Sequence, residues 1–287
     1  MDLISVREIR VASTRAEVTF APGERPLAGG TWLFSERQEG LTGLVDLTGL
    51  GWPAVTETDT ALSVAATCTI AELSRLTPAA LRSGNWSSAR PGKDELPDVA
   101  SGSPLFWQCA NSLLASFKIW NVATVGGNLC IALPAGPMTS LGAALDAEAV
   151  VWTSRGGERR LPIAEFVTGV QENALAPGEV LRAIDIPRRS LESRTGFRRI
   201  ALSPLGRTGT LVIARLDLSG EVVFTVTGGT RRPIQLRFDE LPSERALRHA
   251  VRAIDEWYSD AHGAADWRCA MSVLFAEELR IELGGAA

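Results

Sequence analysis

Histidine is almost absent: 287 residues hold only His249 and His262, both close to the C-terminus. A Ser-His-Asp or Cys-His hydrolase is hard to assemble from that supply, and a histidine-rich metal site is excluded. Cysteine is sparse and scattered, at Cys68, Cys109, Cys130 and Cys269, with no C-x-x-C pair. That argues against a zinc ribbon or an iron–sulfur cluster held by this chain alone, and leaves buried, reduced thiols. No apolar run is long enough to span a bilayer, and Met1–Arg10 is charged where a signal peptide would be apolar. Cationic excess is missing too. With a formal net charge of -4 and a pI near 5.4, neither nucleic acid nor an anionic membrane is an expected partner. The expected compartment is the cytoplasm. The chain has no strong catalyst among its side chains, so any redox chemistry must come from a cofactor.

What is present begins with glycine. Ala123–Leu129 reads A-T-V-G-G-N-L, and Pro26–Thr31 reads P-L-A-G-G-T. A Gly-Gly step turns sharply and lets another group approach backbone N–H donors. Either pair alone reads as an ordinary turn. Two such loops, each with a threonine beside it, would offer two sets of donors to a diphosphate.

The length leaves room for two or three domains. The first fifty residues read as a small α/β unit. Short strands are expected near Arg25–Ala28 and Gly43–Leu47, with a helix start at Thr31–Glu36 and a turn at Gly49–Pro53. Thr60–Thr69 reads as a strand. Ile70–Leu76 opens a helix with Thr69 as cap and Glu72 completing a capping box. Leu81–Asp98 is expected to be a surface loop. Ser103–Phe117 has helical apolar spacing that includes Leu105, Phe106, Cys109, Leu113, Leu114 and Phe117. Leu141–Ala147 is a short helix or turn, and Glu148–Thr153 and Glu158–Pro162 form a hairpin about Arg155-Gly156-Gly157. Glu179–Pro187 alternates like an edge strand stopped by proline. The last hundred residues predict an antiparallel sheet, Gly196–Ala201, Thr210–Leu218 and Glu221–Gly228, backed by helices at Ser243–Tyr258 and Ala265–Leu283.

Taken in order, these motifs resemble the FAD-binding medium subunit, or FAD domain, of the molybdenum hydroxylases. The segments carrying the resemblance are P-L-A-G-G-T (26–31), I-W-N-V-A-T-V-G-G-N-L (119–129), L-P-A-G-P (133–137), A-L-D-A (144–147) and L-P-I-A-E-F (161–166). They continue with L-A-P-G-E-V-L-R-A-I-D-I-P (175–187), G-F-R-R (196–199) and D-W-R-C-A (266–270). The resemblance implies an α+β chain. A two-subdomain FAD-binding fold of the PCMH type covers 1–178, with subdomains of about 1–55 and 56–178. A C-terminal antiparallel sheet with helices covers 179–287. It implies that Leu27, Ala28, Gly29, Gly30 and Thr31, with Thr124, Val125, Gly126, Gly127 and Asn128, supply backbone and hydroxyl donors to the FAD pyrophosphate, with Trp32 a further cofactor-binding position beside them. Leu181 would lie near the flavin ring and Arg198 near the flavin edge, Pro137 stands where an Asp would contact the FAD sugar region, and Leu114 is a further cofactor-binding position.

The implied chemistry is electron relay, with no catalytic residue of the chain's own. Non-covalent FAD would take electrons from [2Fe–2S] clusters in a small partner subunit. Molybdopterin would sit in a large partner subunit, and NAD or another acceptor would receive the electrons. Three positions depart from the family pattern by losing a polar group: Trp32, Ile131 and Pro137. Trp120 stands where a basic residue is common. These departures support an alternative, a divergent member with weakened or lost FAD binding, acting as a structural subunit or a stand-alone protein with another ligand. A stand-alone flavin oxidase or reductase is a third reading.

Other conspicuous residues have plainer readings. Trp86, Trp107, Trp152, Trp257 and Trp267 are core or interface anchors. The basic cluster Arg188, Arg189, Arg194, Arg198 and Arg199 is a solvated face or interface rather than a nicotinamide-dinucleotide site. Asp146 is structural, and His249 lies on a helix surface.

Overall fold

The computed structural model describes residues 3–76 and 104–285. The expected loop at Leu81–Asp98, Trp86 and the Ser103 cap lie outside the described residues.

The first unit is a three-stranded parallel sheet of β1 (Glu8–Val11), β2 (Glu24–Leu27) and β3 (Gly43–Asp46), in the order β1-β3-β2. Its core is small: Leu27, Leu41 and Leu44. Arg10 ties β1 to β2 through Glu24 at 2.8 Å. Thr31–Glu36 does not form the expected helix. The segment closes as turns, with Phe34 N–H donating to Gly30 C=O at 2.8 Å and the Ser35 hydroxyl to Thr31 C=O at 2.6 Å. Gly30 at φ +67° sets the chain on a left-handed step that no α-helix continues.

The second unit carries an antiparallel sheet of β4 (Val55–Glu57), β5 (Ala61–Ala65), β6 (Glu148–Trp152), β7 (Glu158–Pro162) and, beyond the small pair β8 (Val167–Gly169) and β9 (Glu172–Asn173), β10 (Val180–Pro187). The order is β4-β5-β10-β6-β7. The alternating β10 is therefore central, not the edge strand its sequence suggests. Its proline sits at the strand end opposite Ala61, where the ladder needs nothing further from it.

Helices α1 (Ile70–Ser74), α2 (Leu105–Asn111), α3 (Phe117–Trp120), α4 (Val125–Ile131) and α5 (Pro137–Ala144) belong to this unit. Most bury apolar side chains such as Leu73, Phe106, Leu129 and Leu141 with Val64 and Ile184 of the sheet. The capping box forms as expected: Glu72 N–H donates to the Thr69 hydroxyl at 3.1 Å, and Thr69 N–H to the Glu72 carboxylate at 2.9 Å. The single helix expected over 103–117 ends instead at Asn111. The Ser112 hydroxyl donates back to Cys109 C=O at 2.7 Å, and past it Leu114 and Phe117 have no layer to pack on, at 57% and 73% exposure.

After α6 (Ile163–Phe166) and α7 (Arg188–Leu191), the third unit is a four-stranded antiparallel meander. It comprises β11 (Arg194–Ala201), β12 (Thr208–Leu216), β13 (Val222–Thr227) and β14 (Ile234–Phe238). The expected sheet lacks β14, although Ile234–Phe238 reads I-Q-L-R-F, a strict apolar–polar alternation that is the signal of a half-buried strand. Helices α8 (Glu244–Arg252) and α9 (Ala265–Gly284) cover the sheet, and His249 is exposed on α8.

Units two and three are joined by buried polar contacts. The Ser140 and Thr227 hydroxyls are 2.7 Å apart, and Gly228 N–H donates to Pro134 C=O at 2.9 Å. Asp146, just past α5, binds the buried Arg215 of β12, and Arg237 and Gln235 of β14 close around the same carboxylate.

Candidate functional site

The two glycine loops meet. β2 runs directly into Ala28-Gly29-Gly30-Thr31, and this loop lies against the backbone that leads into the second pair. A Cβ on Gly29 would stand 1.9 Å from the Val122 carbonyl oxygen, so only glycine permits that approach. A Cβ on Gly30 would stand 2.4 Å from the Phe34 ring. Among the described residues, nothing accepts a hydrogen bond from the N–H groups of Gly29, Gly30, Thr31, Trp32 or Leu33. Leu27 is buried and Ala28 to Leu33 are half-buried. Successive free amides around a left-handed step form an anion-binding concavity.

The second loop is built differently. Thr124 pairs with Thr69 in an isolated antiparallel bridge, flanked by Ile70 N–H to Ala123 C=O and Val125 N–H to Cys68 C=O, both 2.8 Å. Gly126 N–H donates to Ala66 C=O at 2.8 Å, and a Cβ there would press within 2.5 Å of the Ala66 methyl. Gly127 N–H goes to the Thr124 hydroxyl at 3.1 Å, and Asn128 N–H to Thr124 C=O at 3.0 Å. The first amides of α4 are thus taken up by the protein itself. The Asn128 carboxamide oxygen accepts from Met138 N–H at 3.0 Å and pins the 133–137 loop to α4. The second pair forms a rigid wall, while the free donors belong to the first.

The other expected site residues separate. Leu114 is exposed on the stretch between α2 and α3. Pro137 is buried at the first position of α5. Leu181 is buried in the core of the second unit, at a bulge in β10. Arg198 is held by Glu278 and Glu282 of α9, both at 2.8 Å, and those carboxylates outweigh its partial burial to raise its pKa. The rest of the basic cluster is largely committed as well. Arg188 pairs with Glu57 at 2.5 Å, Arg189 lies 3.7 Å from Asp146, and Arg199 donates to Thr208 and Gly206 at 2.6 Å.

Burial pushes the thiols of Cys68 and Cys109 up and that of Cys130 up to about 12, so none is a thiolate near neutrality. Among the described residues, no group of three or more His, Cys, Asp or Glu is placed to hold a metal, and no helix is long and apolar enough to cross a membrane.

Two features escaped the sequence. Val122 shapes the first loop through its carbonyl oxygen, which leaves no residue-type signal, and Ala66 shapes the second through its methyl and carbonyl. A stack of Arg15, Trp152, Trp52 and Arg182 brings together residues far apart in the chain.

The chain is similar throughout to solved structures. Quinoline 2-oxidoreductase from Pseudomonas putida 86 matches with a TM-score of 0.75 at 21% identity, over 96% of this chain and 95% of that one. A carbon monoxide dehydrogenase from Hydrogenophaga pseudoflava matches with a TM-score of 0.73 at 18% identity, over 96% of each. The reconstituted CO dehydrogenase from Oligotropha carboxidovorans gives 0.74 at 22%, over 95% of each. At these identities the matches establish the fold. Caffeine dehydrogenase subunit beta from Pseudomonas sp. (strain CBB1) is 37% identical over 98 residues, 34% of this chain and 33% of that protein, so the alignment spans about a third of the relative's length. The family model for the FAD binding domain in molybdopterin dehydrogenase matches residues 5–189, well over half of the chain. Two glycine loops in contact, within a fold shared with these oxidoreductases and under that family's own pattern, place the chain in the family of FAD-binding domains of molybdopterin dehydrogenases.

Proposed function

We propose that this chain is the FAD-carrying electron-transfer subunit of a molybdenum hydroxylase. The observation that carries the reading is the row of amides at Gly29–Leu33, unpartnered among the described residues and set against the Val122–Ala123 backbone. It fits the diphosphate of FAD: an anion there gains several N–H donors that otherwise have no protein acceptor. The Thr124–Asn128 turn forms the opposing wall. Ala28 and Trp32 extend the cradle on the first-unit side, and Leu114 and Pro137 lie on stretches flanking the second. The bound flavin would supply reversible uptake of electrons, and this chain's residues hold and orient it. No histidine lies in these loops, which supports non-covalent attachment by arguing against a histidyl link. Arg198 and Leu181 are assigned structural roles in this proposal, because ion pairs and the core engage them.

The partners proposed are an iron–sulfur small subunit with [2Fe–2S] clusters and a molybdopterin large subunit, with NAD or another acceptor downstream. The names of the similar proteins support this, one being a subunit of caffeine dehydrogenase and another a CO dehydrogenase described as lacking the Mo-pyranopterin moiety of its cofactor. The cytoplasm is the proposed compartment, in keeping with four free thiols. As units we propose 1–55, 56–178 and 179–287, with Val180–Pro187 counted with the sheet whose centre it fills.

Pro137 favours a second reading, weakened flavin binding in a structural subunit. Its ring brings no hydrogen-bonding group to the start of α5, where the Asn128 carboxamide oxygen is already engaged. Absorbance of the purified chain between about 300 and 550 nm, before and after incubation with FAD and desalting, decides between them. Flavin bands that stay with the protein support the relay. None retained at saturating FAD selects the second reading.

A further inference from the structure

Four side chains stack where the first unit meets the second. The Arg15 guanidinium lies 4.6 Å from the Trp152 ring centroid and donates to the Gly157 carbonyl of the β6–β7 hairpin. Trp152 stands edge-on to Trp52, with centroids 5.2 Å apart and planes at 89°. The Arg182 guanidinium covers Trp52 at 4.2 Å and reaches Trp152 at 6.0 Å. Arg182 is half-buried, and among the described residues its side chain makes no hydrogen bond. The rings are what hold it in place.

Arg182 sits at the bulge of β10, and its backbone leads to the second glycine loop. Ala66 N–H donates to Arg182 C=O at 3.0 Å, and Gly126 N–H donates to Ala66 C=O at 2.8 Å, with Gly126 pressed onto Ala66. A bulge aims the chain locally, and here it lies beside the end of β5, whose following residue Ala66 accepts from Gly126. At the other end of the stack, Arg15 belongs to the unit whose Gly29 presses on Val122. One stack therefore joins the unit that carries the first glycine loop to the strand that is bonded, through Ala66, to the second.

We propose that Arg15 and Arg182, clasped on the Trp52–Trp152 pair, are positioning residues that hold the two glycine loops in apposition and so set the affinity for the dinucleotide. The consequence for affinity rests on the FAD reading. A ligand gripped from two units binds only the fraction of molecules in which they are docked, and its apparent dissociation constant rises as that fraction falls.

The test uses the full chain and the variants Arg15→Ala, Arg15→Lys, Arg182→Ala and, as a hairpin control, Arg155→Ala. FAD is titrated by flavin fluorescence, and amide hydrogen exchange is followed over 28–34 and 119–127. Arg15→Ala and Arg182→Ala should raise the dissociation constant roughly three- to tenfold and speed exchange in both loops, while Arg15→Lys keeps much of the affinity and Arg155→Ala changes neither readout. A purely structural stack would lower the melting temperature while leaving loop exchange and FAD affinity unchanged, and that result overturns the proposal. If the parent chain takes up no flavin, the FAD reading falls, and loop exchange alone decides whether the clasp stands. Should Arg182→Ala fail to fold, the exposed Arg15 pair still supplies the answer.

Discussion

Asp146 accepts a hydrogen bond from Arg215 at 2.5 Å across the seam between the second and third units, and Arg215 is 1% exposed. The same guanidinium donates to Asp217 at 2.8 Å and to Ala144 C=O at 2.7 Å. The backbone of Asp146 takes φ +52°, a left-handed step that aspartate tolerates better than most residues. The A-L-D-A turn thus serves to dock the C-terminal sheet.

Replacing Asp146 with Asn keeps the turn and removes the charge. Arg215 then retains one carboxylate where it had two, inside a site closed to water. A loss of about 1.5–3 kcal/mol is expected, the cost of weakening charge-assisted hydrogen bonds while Asp217 still balances Arg215. Chemical unfolding of the variant against the parent chain measures it, and a loss below about 1 kcal/mol would remove Asp146 from this role.

Acid should act through the same group. Burial by itself would raise the Asp146 carboxyl, but hydrogen bonds from Arg215 and Arg237 together outweigh it and bring the pKa below the ordinary 3.8. A carboxyl depressed in the folded state adds stability above its unfolded pKa and loses it as pH falls through the folded value. Unfolding midpoints should therefore hold near neutrality and drop below pH 3.8, with a shallower drop in Asp146→Asn.

Gly29→Ala places a methyl 1.9 Å from the Val122 carbonyl oxygen, a distance no side-chain rotation relieves. The loops must part. Retained flavin should fall at least about tenfold, read as the flavin-to-protein absorbance ratio after desalting. Gly127→Ala meets only the Thr124 hydroxyl at 3.0 Å and should cost much less.

Pro137→Asp tests whether the cofactor grip is limited by a missing polar group. A carboxylate at the first position of α5 also suits the helix dipole. One added hydrogen bond of about 0.5–1.5 kcal/mol should tighten FAD roughly two- to tenfold by titration. Unchanged affinity would separate Pro137 from the cofactor.

Thr69→Ala removes the cap that accepts from Glu72 N–H. About 1 kcal/mol of stability should go with it, visible as a lower thermal midpoint.

Local chemistry made much of this molecule legible. The Thr69–Glu72 capping box and the hairpin about Gly156-Gly157 each rest on neighbours a few residues apart, so the sequence by itself determined them. Tertiary structure decided the rest. Whether Val180–Pro187 is an edge or a centre depends on Ala61–Ala65 and Glu148–Trp152 arriving on either side. Leu114 and Phe117 keep helical spacing, yet the helix stops at Asn111 because no apolar layer lies beyond it. Both loops carry the same Gly-Gly signal, but the amides of one are taken by Cys68, Ala66 and Thr124 while those of the other stay open. A backbone donor looks the same at every position in a sequence. Only the folded chain determines which acceptors come within reach.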